Sequence, residues 1–481
     1  MSKTAFISTA IPYVNSRPHI GFAFECVQTD AMARYLRLMG YDTYFLTGSD
    51  ENSLKNVRAA KEEGISTQEL CDRNTQLFVD LKDDLNLSND EFIRTSGETH
   101  HKGAQELWSR FKPEDVYKKH YTGLYCVGCE DFYSEKDLPD KICPDHGTPL
   151  EVIEEENYFF KLSNYENQLL ELIESGDLRI VPKTKRNEIL SFIKGGLLDF
   201  SISRSRKRAG DWGVTVPGDE DQVMYVWLDA LANYITALDL NEDSKNFQDY
   251  WLNCPKRVHM IGKGINRFHT IYWPAMLISA GLPVPTDVFV HGYLTINGQK
   301  ISKSLGNVIE PSAQIEQYGL DPVRYFLLKA LSPFEDGDYS DERFREVYNA
   351  DLANNLGNLA RRIETIGAKA GHQSKSVDTP VAPKEFTEAM DDYRFNEALS
   401  SLWAFATELN QRVEEVKPWV LQKAEKHDEV ATFLDEMIDG LRVIGHFLQP
   451  FMPDTAEKLL NMFPAGKAIE RGEPLFPRLV D

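Results

Sequence analysis

Cysteine is scarce: the chain has six in 481 residues, and three of them fall together at Cys126, Cys129 and Cys143. Thiols this thinly spread exclude a small disulfide-built secreted scaffold and point to a reducing compartment. No apolar run approaches the ~20 residues that a membrane-spanning helix needs. The opening Met1-Ser2-Lys3-Thr4-Ala5-Phe6-Ile7 passes straight into a strand pattern without the design of a signal peptide. A cytoplasmic chain without a membrane partner is expected. Basic charge is also short, with 53 Lys and Arg against 75 Asp and Glu and a net charge of −22. That excludes binding of polyanions through an overall basic face. Local clusters at Lys183-Thr184-Lys185-Arg186 and Arg204-Ser205-Arg206-Lys207-Arg208 keep a confined nucleic-acid contact open, although a solvated surface reads equally well. Repeats, coiled-coil heptads and low-complexity tracts are missing. The length exceeds one core and implies two to four domains.

What is present begins with Thr4 to Ala10, a buried-strand pattern, followed by helical periodicity from Gly21 to Leu38 and a second strand at Tyr41 to Thr47. Strand, glycine turn, helix, strand opens a doubly wound α/β domain, whose ligands lie beyond the carboxyl ends of the strands. Ile11 to His19 and Gly48 to Asp50 fall at those ends. Sheet-like patterns return at Gln222 to Trp227, Val258 to Ile261 and Val288 to Val290, so an insertion from about Glu114 to about Gly218 splits the nucleotide fold. From Arg343 onward the chain reads as helical, with a polar, proline-containing loop at Gln373 to Pro383.

Two separated motifs carry the chemistry. Pro18-His19-Ile20-Gly21 stands at the first strand-to-helix turn, and Lys300-Ile301-Ser302-Lys303-Ser304 stands far downstream. Gly21 permits close backbone approach to a nucleotide, and His19 at a helix opening can donate to phosphate oxygen beside the helix N-terminus. Lys300 and Lys303, with Ser302 and Ser304, suit a loop that closes over departing phosphates. Together they form a phosphate clamp supplied from two ends of the chain. Cys126-Val127-Gly128-Cys129 and Cys143-Pro144-Asp145-His146 have the paired spacing of a tetrahedral zinc site. Four protein ligands leave no open position, so one structural Zn2+ per chain is expected, holding an insertion too small for its own core.

With these motifs in this order, the chain resembles the methionyl-tRNA synthetases of class I over almost its whole length. The resemblance implies a split Rossmann-like nucleotide-binding fold (1–113 and 219–292), a connective insertion with a zinc knuckle (114–218) and a Lys-x-Ser-Lys-Ser loop with stem-contact region (293–342). An all-α helical anticodon-binding domain (343–481) follows. It implies ATP with Mg2+, L-methionine and tRNA(Met) as partners, with His19, Lys300 and Lys303 catalytic. The ATP set carried over is His19, Gly21, Phe22, Arg204, Lys300, Ser302, Lys303 and Ser304. The methionine pocket maps onto Ile11, Tyr13, Asp50, Trp227, Leu231, Tyr234, Phe268 and His269. Aromatic walls suit a polarisable thioether, and the Asp50 carboxylate suits an α-ammonium. The anticodon positions map onto Asn358, Arg362 and Trp419, the first two four apart on one helix face and the third a stacking surface.

Three places depart from the family pattern. Phe22 stands where the signature carries a second histidine, Asn52-Ser53 where it carries His-Gly, and Gly264 where it carries Asp. They keep two other readings open: a divergent paralogue that adenylates an amino acid for another acceptor or confers inhibitor resistance, and a catalytically weak tRNA-binding protein. With no module beyond Asp481, a monomer is expected.

Overall fold

The computed structural model describes residues 3–126, 128, 131–133, 140–144, 147–301, 306–375 and 380–479. By contacts the chain divides into two units, one of residues 1–18, 40–83 and 87–291, the other of residues 19–39, 84–86 and 292–481.

The first unit is built on a six-stranded sheet: β1 Lys3–Thr9, β2 Tyr41–Ser49, β3 Glu91–Arg94, β4 Arg179–Val181, β5 Lys256–Gly262 and β6 Asp287–His291. The spatial order is β3-β2-β1-β5-β6-β4, and each pairing is parallel. The strand order reverses at β1, so the carboxyl ends of β1 and β5 form the switch point at which such sheets bind ligands. Every residue of β6 is buried, as is the run from Ala5 to Thr9 in β1, which explains why these strands read as continuous apolar runs rather than alternating ones.

Two features depart from the sequence expectation. Arg179–Val181, inside the expected insertion, supplies the edge strand of the main sheet. The stretch Gln222 to Trp227 is not a strand of that sheet: Asp219–Met224 joins Ser203–Ser205 and Thr215–Val216 in a separate three-stranded sheet, and Trp227 lies in the first turn of a helix. Tyr225 takes extended backbone at φ −68° and ψ 139°, which ends the strand and opens helix α7, Val226–Thr236. The insertion also holds a long antiparallel pair, Val116–Cys126 against Glu151–Phe160, flanked by Asp131–Tyr133 and Phe200–Ser201, and the helices Glu166–Ser175 and Lys183–Lys194.

In the second unit, helix α1 (Ile20–Leu38) is joined by helices from Pro311 onward and by a small sheet of Leu294–Ile296, Gln299–Lys300 and Gly337–Tyr339. Its polar centre is Arg324, which is fully buried. The guanidinium donates to Asp30 Oδ2 (2.6 Å), Leu85 O (2.9 Å), Phe451 O (2.8 Å) and Pro450 O (3.1 Å). Arg34 Nε also donates to Asp30 Oδ2, at 2.8 Å. One planar fork thus holds α1, the 84–86 segment and the turn before the helix Pro453–Met462. Among the described residues, no helix is long and apolar enough to cross a membrane.

Candidate active site

Several residues of the expected methionine pocket sit at strand ends of the first unit. Tyr13 and Asp50 form a parallel bridge, and Asp50 N donates to Pro12 O at 2.8 Å, so the segment after β1 is zipped to the end of β2. Asp50 is buried, while Ile11 and Tyr13 are half-buried, with Lys55 Nζ 4.4 Å from the Tyr13 ring centroid. Asn56 Nδ2 donates to Asp50 O at 3.0 Å and to Glu51 O at 2.9 Å.

Glu51, which sequence reasoning did not single out, fixes this strand end. Its fully buried carboxylate takes Arg94 Nε at 2.7 Å and Nη2 at 3.0 Å, with Ser49 at 2.8 Å, Thr75 at 2.6 Å and Ser96. Burial alone would raise its pKa, but hydrogen bonds from Arg94, Ser96 and Thr75 outweigh burial and hold it below the ordinary value. Asn52 and Ser53, together one of the three departures, have structural work in the same place. Asn52 Nδ2 donates to Thr95 O at 2.9 Å, and Ser53 caps helix α2 (Leu54–Glu63) by accepting from Asn56 N.

The aromatic residues come together on α7 and the segment after β5. Trp227, Leu231 and Tyr234 follow one another at i, i+4 and i+7, one face of the helix. Trp227 stacks on Phe268 with ring centroids 3.6 Å apart and planes within 5°. His269 Nδ1 donates to Ile265 O at 3.0 Å, which leaves Nε2 to accept from the Tyr234 hydroxyl at 2.7 Å. Burial pushes the His269 pKa down to about 4, so this tautomer is neutral at physiological pH. Beneath Tyr234 lies His259 of β5, its ring centroid 4.0 Å away. Trp273 Nε1 donates to His259 Nε2 at 3.2 Å, so His259 Nδ1 donates to Ser8 Oγ at 2.8 Å, and burial holds this imidazole neutral as well. The only signal for His259 in the sequence is one polar residue inside an apolar strand.

Arg204 is buried in the strand Ser203–Ser205, donating to Tyr125 Oη at 3.0 Å with the Tyr225 ring centroid 5.0 Å away, which is not the setting of a solvated basic patch. Gly264 is exposed in the turn after β5. Cys126 and Cys143 are buried in one small cluster with Leu124 and Leu150. Cys129 and His146 lie outside the described residues, as do Ser302, Lys303 and Ser304; Lys300 ends the strand Gln299–Lys300. Among the described residues, no group of three or more metal-ligating side chains is assembled.

In the second unit, His19 is the N-cap of α1: its Nδ1 accepts from Gly21 N at 3.1 Å, so Nε2 carries the ring proton, and burial lowers its pKa. A Cβ at position 21 would lie 2.9 Å from His19 Nδ1 and Cε1, so glycine is what leaves room for the ring. Half-buried Phe22 follows in the first turn. Further along, Asn358 opens the helix Asn358–Ala370 and Arg362 lies one turn on. Lys417, at φ 50°, ends the helix Phe395–Val416, and Pro418 starts the next, which projects Trp419 outward. The Arg362 guanidinium lies 5.8 Å from the Trp419 ring centroid, so the structure brings these two residues together.

The chain matches the sequence family described as tRNA synthetases class I (M) over residues 5–149 and 135–364. Over 99% of its length it is 43% identical to a methionine–tRNA ligase of Brucella melitensis biotype 1, covering 98% of that protein. The chain belongs to the methionyl-tRNA synthetases. It is thus a class I aminoacyl-tRNA synthetase, a methionine–tRNA ligase. Residues 382–476 match the anticodon-binding domain of tRNA ligases. The fold is similar to that of Mycobacterium tuberculosis methionyl-tRNA synthetase in complex with methionyl-adenylate, with TM-score 0.90 and 38% identity over 99% of this chain and 100% of that one. The synthetase is also 40% identical to the Thermotoga maritima methionine–tRNA ligase, covering 98% of its own length and 80% of that enzyme.

Proposed function

We propose that this synthetase activates L-methionine with ATP and Mg2+ and transfers it to tRNA(Met), using the residues named above. The methionine carboxylate attacks the α-phosphorus, the bond to the bridging oxygen of the β-phosphate breaks, and pyrophosphate leaves. The terminal ribose hydroxyl of the tRNA then attacks the acyl carbon and releases AMP. Trp227, Leu231, Tyr234, Phe268 and His269 wall the thioether, with Ile11 and Tyr13 beside the head group and Asp50 holding the ammonium. The observation that carries this reading is the neutral Tyr234–His269 pair on the same helix face as the Trp227–Phe268 stack: an apolar, uncharged wall with fixed tautomers. His19, Lys300 and Lys303 stabilise the phosphate charge, with Gly21, Phe22, Arg204, Ser302 and Ser304 completing the nucleotide set.

Methionine-dependent exchange of pyrophosphate into ATP tests the first step, and charging of purified tRNA tests the second. Measurable exchange without charging would favour an acceptor other than tRNA, and charging-independent tRNA binding without exchange would favour a binding protein. Phe22 brings an apolar ring where the signature's imidazole would donate. Phe22→His is therefore expected to change the nucleotide kinetics of exchange, and identical kinetics in both forms would remove Phe22 from the ATP site.

For the anticodon, Trp419 is 38% exposed beside Arg362, a surface on which an unstacked base can lie. Trp419→Ala is expected to reduce tRNA charging by the ~1–3 kcal/mol of one stacked base while leaving pyrophosphate exchange nearly intact. Equal losses in both assays would assign the indole to packing.

Buried thiols at Cys126 and Cys143 within one four-residue cluster fit a shared zinc, with Cys129 and His146 as its other ligands. The metal would hold the insertion and take no part in the chemistry. Elemental analysis is expected to find about one zinc per chain. A metal-free preparation with undiminished insertion stability would reject this. The five-part division of the chain is proposed on the same family pattern; a monomer is expected, and light scattering decides it.

A further inference from the structure

The back of α7 carries a polar device that the reaction itself does not use. Asp229 lies two residues after Trp227, about 200° around the helix, and Asp229, Asn233 and Thr236 repeat at i, i+4 and i+7 on the face turned away from Trp227, Leu231 and Tyr234. Helix α4 (Glu98–Arg110) packs there. His100 of α4 is buried and engaged at both ring nitrogens, Nε2 with Asp229 Oδ1 at 2.6 Å and Nδ1 with Thr236 Oγ1 at 2.8 Å. A carboxylate only accepts, so Nε2 donates to Asp229, and Nδ1 shares a hydrogen bond with the Thr236 hydroxyl. The imidazole therefore buckles two points two turns apart, and between them lie Leu231 and Tyr234.

One turn along α4, Gly103 lets the helices approach closely: a Cβ there would stand 2.5 Å from Thr236 Cγ2 and 2.9 Å from Thr236 Cβ. Thr236 is thus held twice, by a hydrogen bond to His100 and by contact with a glycine, which fixes how far α7 stands from α4. Since α7 has the proposed methionine wall on its other side, that distance sets the depth of the pocket.

We propose that His100 and Gly103 are positioning residues that set the size limit for the amino-acid side chain, by fixing α7 from behind. This rests on the reading that Trp227, Leu231 and Tyr234 wall the methionine. A pocket distinguishes one methylene by about 10- to 200-fold, so a small displacement of α7 is read directly in the choice between methionine and ethionine, which is one methylene longer.

The full-length enzyme and its His100→Ala, Thr236→Val, Gly103→Ala and Leu231→Ala variants are compared in pyrophosphate exchange, with KM for each amino acid and for ATP. His100→Ala and the near-isosteric Thr236→Val release α7 and are expected to raise KM for methionine about tenfold. They also shift kcat/KM toward ethionine, with KM for ATP unchanged. Gly103→Ala drives α7 toward the pocket and is expected to shift the ratio the other way. The ratio does not depend on the fraction of active enzyme, so loss of folded protein cannot imitate it. Should His100→Ala fail to fold, Thr236→Val and Gly103→Ala still decide the question. Unchanged ratios in these variants with a changed ratio in Leu231→Ala would overturn the positioning role alone. Unchanged ratios in every variant, Leu231→Ala included, would overturn the pocket assignment and the inference with it.

Discussion

His19→Ala is expected to slow pyrophosphate exchange by about 10²- to 10³-fold, the cost of losing one donor that meets developing charge in the transition state, with KM for methionine little changed. The expectation follows from the way the ring is held. Gly21 N–H occupies Nδ1, so the proton of the neutral ring sits on Nε2, and burial lowers the pKa of the ring, which favours that neutral form. The donor is therefore aimed before substrate arrives. Alanine also removes the cap of α1, at about 1 kcal/mol, which mixes a stability effect into the rate. His19→Asn separates them. Its short amide can accept from Gly21 N–H and restore the cap, but its donor no longer reaches as far as Nε2. Thermal stability should recover in His19→Asn while exchange stays slow. Recovery of both would reduce His19 to a helix cap.

The largest loss of stability is expected at Arg324. Replacing a fully buried guanidinium by methionine leaves the carbonyls of Leu85, Pro450 and Phe451 without their donor and takes from Asp30 one of its two arginines. Breaking a buried, hydrogen-bonded ion pair from one side costs about 3–5 kcal/mol. Arg324→Lys should recover little, because a single ammonium cannot span the four acceptors that the planar fork reaches. The exposed pair Arg73–Glu63 offers a control, since surface pairs contribute about 0–1 kcal/mol. Chemical denaturation of the variants measures both. Similar losses at Arg324 and Arg73 would mean that the buried network contributes no more than a surface contact.

These two sites differ in how far the sequence announces them. His19 is legible because a strand pattern, a glycine and helical periodicity meet within a few residues, so local signals alone place the histidine at a helix start. Arg324 carries no such signal: its partners come from residues 30, 85, 450 and 451, and only the folded chain brings them together. The same holds for His100 and Asp229, which are 129 residues apart. Trp227 shows a different limit. The apolar run from Val223 is too short for periodicity to separate strand from helix, and a change of backbone at Tyr225 decides it. Arg179–Val181 escapes for a related reason, since three residues pairing at a sheet edge leave no pattern of their own. The residues proposed for the methionine pocket come from family resemblance, and the structure gathers several of them at the ends of strands and on one helix face.

The interleaving of the two units also sets an order of events on the ribosome. Helix α1 leaves the exit tunnel early, yet Arg324, which ties it down, and the carbonyls of Pro450 and Phe451 that complete the tie come from the last third of the chain. At ~5–20 residues per second, synthesis keeps that helix waiting for roughly tens of seconds. Throughout this interval the buried Asp30 carboxylate of that helix lacks its Arg324 partner, which makes the nascent helix a natural client for chaperones. Any single cut between residues 19 and 481 divides the second unit, so neither fragment would carry all of its segments.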